Sequence, residues 1–237
     1  MPSAHLISSK ECDMKILAIM GSPHGMEGNT GRLLEEVLAG VRGCGGEVEI
    51  VSLADHEVGP CLSCNVCHRT GTCSIDDDFE TIKAKLLACD GFILASPNYI
   101  SSVTAQMKAL FDRCCGILHC VSLEGKYGAV VETSGGGEDE PVIQYVERFI
   151  GTTGAQSVGG IGSPMAGIRT FPDQETLFGK ARALGSDLCA SVREKRHFPE
   201  QDSFRKDFKA RMQRLVEYMK DEWVYERDCW IARNTRP

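Results

Sequence analysis

The chain of 237 residues has no apolar run that approaches the roughly 20 residues needed to span a bilayer. Its longest apolar stretches, such as Ile16–Met20 and Phe92–Ala95, have the length of a strand. No block of basic residues stands out before residue 190, and the net charge is −7, so nucleic acid is not expected as a partner. Residues 1–13 lack the basic and then apolar pattern of a secretory signal. We therefore expect a cytoplasmic protein that binds neither membrane nor nucleic acid.

Disulfides are not expected either, although the chain has 12 cysteines. Without a sign of export, metal ligation or redox chemistry explains such a number better than a disulfide framework. Four of the cysteines fall in helical patterns and are expected to be small buried side chains: Cys114, Cys115, Cys120 and Cys189. Hydrophobic residues make up 42% and charged residues 25% of the chain, which favours a globular fold over disorder.

Short apolar runs alternate with patterns of helical period in the central part of the chain, and turn-forming residues separate them. The predicted strands are Lys15–Met20, Glu47–Ser52, Gly91–Ser96, Tyr127–Thr133 and Ala155–Ile161. The predicted helices are Asn29–Val41, Asp76–Leu87, Val103–Leu118, Pro141–Ile150 and Gln174–Arg196. Five strands that alternate with helices predict an α/β fold, a doubly wound parallel sheet covered on both faces.

The two ends of the chain differ from this central part. The last 40 or so residues are rich in charge and carry apolar residues at helical spacing, which predicts a helical segment that packs on the core or on a partner subunit. Trp223 and Trp230, taken as exposed, favour contact with a second subunit. The predicted division is 1–13 for a flexible N-terminal arm, 14–196 for the main domain with a cysteine-rich loop at 55–75, and 197–237 for a helical C-terminal extension.

Three loops follow predicted strands at the edge where open parallel sheets bind ligands, beyond the carboxyl ends of the strands. The first, Gly21–Thr30, combines glycines with a helix start, whose free N–H groups attract an anion such as a phosphate. It has neither a Gly-Lys-Ser/Thr ending nor a Gly-x-Gly-x-x-Gly pattern, and it contains no lysine or arginine. Ser22, Asn29 and Thr30 can add neutral donors. The alternative is an ordinary turn in which Asn29 or Thr30 caps the helix.

The other two loops have features of a site for a flat ligand. The second, Ser96–Thr104, places Tyr99 among small polar residues, a setting that suits stacking on an aromatic ring. The third, Thr133–Glu138, has three successive glycines, which would expose backbone N–H groups to the edge of a ligand. Each signal is weak alone. Because all three loops belong to one edge of the sheet, together they indicate a common ligand.

A run of four cysteines follows the second predicted strand with the spacing Cys-x2-Cys-x2-Cys-x5-Cys. Its members are Cys61, Cys64, Cys67 and Cys73. Ferredoxin-type iron–sulfur runs open with the same spacing, whereas zinc sites more often use two separated pairs. Three interpretations remain open from the spacing: a [4Fe–4S] cluster, zinc or another metal, and unligated or redox-active thiols. The histidines His24 and His68 are expected to be solvated surface residues.

The segments Gly21–Pro23, Gly28–Thr30 and Ser96–Arg113 resemble the flavodoxin-like NAD(P)H-dependent FMN reductase family, and the resemblance extends over roughly residues 14–196. It implies a flavodoxin-like sheet of order 2-1-3-4-5 that binds FMN, with the phosphate in the first loop and the ribityl chain and isoalloxazine in the other two. The cofactor-binding residues that it implies are Ser22, Pro23, His24, Asn29, Thr30, Pro97, Asn98, Tyr99, Ile100, Ser101, Thr133, Ser134 and Gly135.

The cysteine run and the Ser-Ile-Asp-Asp-Asp that follows it resemble the compact motif of iron–sulfur flavoproteins, relatives of these reductases. The resemblance implies that the four cysteines ligate a [4Fe–4S] cluster in a homodimer or homotetramer. Electrons would pass between a reduced donor, a ferredoxin-like protein or NAD(P)H, and an acceptor. The flavin supplies the chemistry, so no catalytic residue is assigned. The alternatives are a cluster-free NAD(P)H-dependent FMN or quinone reductase and a non-enzymatic flavin electron carrier or redox sensor.

Overall fold

A computed structural model describes residues 14–137 and 139–235. Its centre is one sheet of five parallel strands in the order β2-β1-β3-β4-β5, which confirms the predicted order. The strands are β1 (Lys15–Met20), β2 (Glu47–Ser52), β3 (Gly91–Pro97), β4 (Tyr127–Ser134) and β5 (Gln156–Pro164). The segment predicted as a flexible arm, residues 1–13, lies outside the described residues.

The helices of the described chain are α1 (Asn29–Gly43), α2 (Val66–Thr70), α3 (Phe79–Ala88), α4 (Ala105–Arg113), α5 (Cys115–His119), α6 (Asp139–Thr152), α7 (Gln174–Glu194), α8 (Asp202–Tyr218) and α9 (Val224–Asn234). The prediction of one helix over Val103–Leu118 is wrong, because ψ at Cys114 is 14° and the backbone leaves the α-helical path there. The predicted start at Asp76 is also wrong. Asp77 Oδ1 accepts the Phe79 N–H at 3.1 Å, which places Asp77 before the first turn of α3.

Two hydrophobic cores cover the two faces of the sheet. Successive residues of a strand point to opposite faces, so Leu17 and Ile19 of β1 join one core while Ile16 and Ala18 join the other. Helices α3, α4, α5 and α6 cover the first face, and α1 and α7 cover the second. Both faces of β1, β3 and β4 are therefore buried, as a doubly wound sheet requires.

Helices α1 and α7 cross in direct backbone contact. A Cβ at Gly40 would lie 2.0 Å from the Arg182 carbonyl oxygen, and a Cβ at Gly185 would lie 2.0 Å from the Val37 carbonyl oxygen. A carbon and a non-bonded oxygen cannot lie 2.0 Å apart, so a side chain at either glycine would force the two helix backbones to shift. The crossing therefore requires a residue without a side chain in each helix.

Gly185→Ala is expected to force these helices apart and to lower the free energy of unfolding by at least about 1–3 kcal/mol, the usual cost of overpacking. The matched control is Gly43→Ala at the end of α1, where the added methyl group would meet open space. We expect that variant to be neutral or slightly stabilising, because alanine favours a helix over glycine. Urea-unfolding midpoints measure the difference, and equal midpoints would contradict the close crossing.

Helices α8 and α9 form the helical C-terminal region and pack on the chain itself. Trp230 is only 6% exposed and lies in a small core with Met212 and Val216. Its indole N–H donates to the His119 carbonyl oxygen at 3.1 Å. The expectation of an exposed Trp230 is therefore wrong, because the indole fills the contact between α9 and the end of α5. Within the described residues, no helix combines the length and the apolar character that a membrane span needs.

Candidate functional site

The three loops at the carboxyl edge of the sheet are joined by hydrogen bonds. Thr30 Oγ1 and Thr133 Oγ1 lie 2.6 Å apart in a buried contact that joins the first loop to the third. The Asn98 N–H donates to the Thr133 carbonyl oxygen at 2.8 Å, which joins the second loop to the third. Thr104 Oγ1 donates to the Gly21 carbonyl oxygen at 2.6 Å, which joins the second loop to the first. The loops therefore form one structural unit.

The first loop presents an uncapped helix start. Gly28 is the N-cap of α1 and makes no side-chain capping bond. The alternative in which Asn29 or Thr30 caps the helix is therefore wrong: Asn29 Nδ2 donates to the Ile168 carbonyl oxygen at 3.1 Å instead, and Thr30 contacts the third loop. Because no side chain covers the first N–H groups of α1, they are available to an anion.

Close packing requires a glycine at Gly31, in the first turn of α1, and leaves little room for a side chain at Gly28. A Cβ at Gly31 would lie 2.3 Å from the Met26 carbonyl oxygen, and a Cβ at Gly28 would lie 3.0 Å from His24 Cβ and 3.3 Å from Ser22 Oγ. The first loop therefore packs closely around the start of α1. Ser22 is buried and accepts the His24 N–H at 3.2 Å, whereas Pro23 and His24 are exposed, as was expected for His24.

An arginine from a distant segment reaches this loop. One guanidinium nitrogen of Arg169 donates to the Glu27 carbonyl oxygen at 2.8 Å, and Arg32 donates to the Arg169 carbonyl oxygen at 2.6 Å. Ile168 and Arg169 line a cavity of about 800 Å³ together with the first loop and the segment after β2. The loop itself contains no lysine or arginine, so its own residues do not indicate a positive charge beside it. Arg169 reaches the first loop because the segment after β5 folds back beside the start of α1.

The second loop holds two apolar side chains in solvent. Tyr99 is 46% exposed and Ile100 is 98% exposed. Ile100 and Ser101 have φ of 53° and 57°, a left-handed conformation that is strained for an isoleucine. The turn is closed by the Tyr99 N–H, which donates to the Ser102 carbonyl oxygen at 2.8 Å. The turn thus presents an aromatic and an aliphatic side chain to solvent, and such a surface suits contact with a flat ring.

The third loop is held at its base and open at its tip. Thr133 and Ser134 are buried, and Ser134 Oγ accepts the Gly137 N–H at 2.9 Å. Gly135 is exposed, and a Cβ there would meet no atom within 4 Å. Pro97 and Asn98 of the second loop are half-buried beside this loop. The structure thus brings the residues predicted to contact the flavin to one edge, in three linked loops.

A buried carboxylic acid lies directly below these loops. Glu132 is 1% exposed, and its Oε2 fills the space above Gly162, where a Cβ would lie 2.8 Å from it. Burial raises the pKa of Glu132 to about 9, and the hydrogen bond and negative charge of Asp139 add to this effect. The side chain is therefore protonated and uncharged at neutral pH. The strand pattern predicted only a strand here and missed the acid.

The raised pKa of Glu132 makes stability depend on pH. The folded chain keeps a proton that the unfolded chain releases above about 4.5, so this contribution is present at low pH and is lost as the pH rises towards about 9. The glutamine of Glu132→Gln has no such proton to lose. Between pH 6 and pH 8.5 the free energy of unfolding should therefore fall less steeply with pH, by the contribution of about one proton. The exposed Glu217→Gln is the control. Urea unfolding across that range measures it, and identical slopes for the two variants would contradict a protonated Glu132.

The four cysteines of the predicted metal site lie in an open loop between β2 and α3. Cys61 and Cys64 are exposed, and Cys67 and Cys73 are half-buried. In the part of the chain that the structure describes, no three of their sulfurs lie within 4.8 Å of one another. A single tetrahedral zinc ion brings its sulfurs to about 3.8 Å, whereas a cubane binds each thiolate at a different iron, so the spread of these sulfurs fits a cubane more directly.

Hydrogen bonds already favour a thiolate in this loop. The Ser74 hydroxyl lies 3.1 Å from Cys64 Sγ and, with the Val66 N–H, lowers the pKa of Cys64. The Ser63 N–H donates to Cys61 Sγ at 3.4 Å. Ser63 and Asn65 have φ of 53° and 62°, so the backbone between the cysteines is tightly turned. Such N–H and hydroxyl donors to sulfur are typical of iron–sulfur sites.

A buried cation lies beside the cysteine loop. The Arg113 and Asp77 side chains are 1% and 3% exposed and form an ion pair, and the Arg113 guanidinium also contacts the Cys73 thiol and lies over the Phe79 ring at 4.3 Å. Burial alone would raise the pKa of Asp77, but hydrogen bonds from Arg113 and from the Gly59 N–H outweigh it and lower that pKa. Asp77 is therefore a carboxylate that requires its arginine.

Arg113→Met is expected to lower the free energy of unfolding by about 3–5 kcal/mol, because it leaves Asp77 buried without its counter-charge. Arg42→Met is the matched control, since the Arg42 pair with Glu35 is about half exposed on both sides and should contribute less than about 1 kcal/mol. Urea unfolding of both variants compares them. Equal losses would show that the Arg113 pair does not anchor the loop.

The expectation of a solvated His68 is wrong. His68 is 6% exposed, and its Nδ1 lies 2.6 Å from Glu226 Oε1, on a helix 158 positions away along the chain. Trp223 is half-buried and stacks on this imidazole, with ring centroids 4.3 Å apart. The sequence pattern gave no sign of either contact. Cys114, Cys120 and Cys189 are buried as expected, whereas Cys115 is only half-buried, with its Sγ 3.4 Å from His119 Nε2.

Comparison with known proteins decides the family. The family described as NADPH-dependent FMN reductase matches residues 14–165. An iron–sulfur flavoprotein of Methanocaldococcus jannaschii is 41% identical over 138 residues, which cover 57% of this chain and 71% of the relative. An iron–sulfur flavoprotein of Archaeoglobus fulgidus is 34% identical over 185 residues, which cover 77% of this chain and 82% of the relative.

The chain belongs to the iron–sulfur flavoprotein branch of the NADPH-dependent FMN reductase family. This iron–sulfur flavoprotein homologue is accordingly a flavin-dependent oxidoreductase, and the family supports FMN as its cofactor. Its fold is similar to that of an NAD(P)H:quinone oxidoreductase from Methanothermobacter marburgensis, with a TM-score of 0.57 at 15% identity over 78% of this chain and 99% of the other. A structure of an NADH:FMN oxidoreductase gives a TM-score of 0.56 at 20% identity over 73% of this chain and 88% of the other. At these identities the two structures support the flavodoxin-like fold alone.

Proposed function

We propose that this chain passes electrons between a reduced donor and an acceptor through FMN and a [4Fe–4S] cluster. The observation that carries the proposal is that one helix joins two groups of residues: Thr104, the N-cap of α4, bonds to the three linked loops, and Arg113 at its end pairs with Asp77 at the base of the four-cysteine loop. One group has the features of a flavin site and the other the donor set of a cluster. The names of the relatives, iron–sulfur flavoproteins, support the same combination.

The residues of the three loops fit FMN. The uncapped start of α1 would hold the phosphate, with Ser22, Asn29 and Thr30 as neutral donors and Pro23 and His24 at the rim. The residues that would contact the ribityl chain and the ring are Pro97, Asn98, Tyr99, Ile100, Ser101, Thr133, Ser134 and Gly135. When bound, FMN accepts either a hydride or single electrons. The protonated Glu132 keeps negative charge away from the underside of this site.

The residues of the cysteine loop fit a cubane better than a single ion. Cys61, Cys64, Cys67 and Cys73 would each ligate one iron. The donors to the first two sulfurs and the buried Arg113 beside Cys73 would compensate the negative charge of a thiolate-bound cluster. Both features act to raise the reduction potential.

The partners follow from this electron path. We propose a ferredoxin-like protein or NAD(P)H as the donor, a homodimer or homotetramer as the assembly, and the cytoplasm as the location, with 14–196 as the functional domain and 197–237 as an extension that packs on it. The exposed Tyr99 and Ile100 lie where a partner subunit or an incoming donor would cover the flavin ring.

Cys64→Ala is expected to abolish the cluster and to leave FMN bound, because the thiol belongs to the cysteine loop and not to the three flavin loops. Iron, acid-labile sulfide and FMN per chain are measured after purification without air. Cys44→Ser, which removes a thiol at the end of α1 far from the loop, is the control and should retain all three. A Cys64→Ala protein with undiminished iron and sulfide would refute the assignment.

A further inference from the structure

Two histidines and a cysteine outside the four-cysteine set converge under the cysteine loop. One ring nitrogen each of His68 and His119 and the Sγ of Cys115 all lie within 4.8 Å of one another. Over residues 14–137 and 139–235, no other group of three histidine, cysteine or acidic side chains meets that distance. The three come from two short helices, α2 inside the cysteine loop and α5 after α4.

A fully buried carboxylate orients both imidazoles. Glu226 of α9 has no exposed side-chain surface, and its two oxygens lie 2.6 Å from His68 Nδ1 and 2.9 Å from His119 Nδ1. A carboxylate only accepts hydrogen bonds, so each Nδ1 bears the proton that it donates. In a neutral imidazole the lone pair then lies on Nε2, the nitrogen of His119 that is 3.4 Å from Cys115 Sγ.

The surroundings shield most of this group from water. The His68 and His119 side chains are 8% and 14% exposed. The Trp223 indole stacks on both imidazoles, with centroid distances of 4.3 and 5.0 Å and nearly parallel planes. Two imidazoles, a carboxylate and a thiol thus lie together in a largely buried environment. A polar group without a partner would be unfavourable there, because it loses its hydrogen bonds to water.

We propose that His68, His119 and Cys115 bind one divalent ion of the zinc type through the two Nε2 atoms and Sγ, with Glu226 as the outer carboxylate. Imidazole with a carboxylate on its other nitrogen is the usual arrangement of a metal-bound histidine. Two nitrogens and one sulfur suit zinc and similar transition ions and do not suit magnesium or calcium.

The ion would draw the three ligands closer together. Ligand atoms around tetrahedral zinc lie about 3.3–3.8 Å apart and those of this trio lie within 4.8 Å of one another, so no separation must shorten by more than about 1–1.5 Å. Rotation of the three side chains on their short helices can supply such a shift. The bound ion would connect the cysteine loop, α5 and, through Glu226, the C-terminal helix α9, and it would therefore stabilise the packing of the C-terminal region.

The test uses the full chain with its cofactors, purified without air, given a slight excess of Zn²⁺ and then freed of unbound metal. We expect about one zinc per chain. Cys115→Ser and His119→Gln should lower zinc affinity by about 100-fold or more, and Glu226→Gln by about 10–100-fold. Cys44→Ser and His197→Gln are matched controls, since His197 also contacts a carboxylate, Asp202 at 2.8 Å, but is exposed. Both controls should bind zinc normally.

Iron and sulfide, measured in the same samples, separate this site from the cysteine loop. Cys64→Ala should keep its zinc, and Cys115→Ser should keep its iron and sulfide. Loss of zinc in Cys64→Ala, or loss of iron in a folded Cys115→Ser, would place these residues in one shared site and overturn the proposal. If Cys115→Ser does not fold, the unaltered chain decides: no bound zinc, or no rise in its thermal midpoint with Zn²⁺, also overturns it.

Discussion

The buried ion pair between Arg113 and Asp77 fixes the cysteine loop to the rest of the molecule. The Asp77 carboxylate accepts the Gly59 N–H at 2.9 Å before the cysteines and the Phe79 N–H at 3.1 Å after them, so one side chain binds both ends of the loop. Because this carboxylate is buried, its charge is tolerable only beside the Arg113 guanidinium. The ion pair thus fixes the base of the loop, and α2 in its middle is held by the contacts of His68 with Glu226 and Trp223.

Helix α4 carries this constraint to the three linked loops at the carboxyl edge of the sheet. Arg113 is its last residue, and Thr104, its N-cap, donates to the Gly21 carbonyl oxygen of the first loop at 2.6 Å. A helix of 9 residues is about 13 Å long, so the base of the cysteine loop and the first of these three loops are joined across about one length of α4. Electron transfer between two cofactors requires a fixed, short distance, and with both cofactors bound as proposed this helix would set it.

Local sequence patterns predicted the strands and the cysteine motif, but they did not predict contacts between residues that are far apart along the chain. The five strands follow from short runs of strand length, the sheet order from the resemblance to the flavodoxin-like reductases, and the spacing of Cys61 to Cys73 is a local signal. The contacts of His68 with Glu226 and of Glu27 with Arg169 span 158 and 142 positions, and no local pattern encodes them. Apolar spacing also continued through Cys114, although the backbone turns there to start α5.

The measurement that tests the electron path most directly is the cofactor content of the unaltered chain, purified without air. FMN, iron and acid-labile sulfide are quantified per chain together with the visible spectrum. The account predicts about one FMN with iron and sulfide in equal amounts of about four each, and flavin bands over a broad iron–sulfur absorption. FMN without iron or sulfide, even after reconstitution, would contradict it and would leave a cluster-free flavin reductase with free thiols in its cysteine loop.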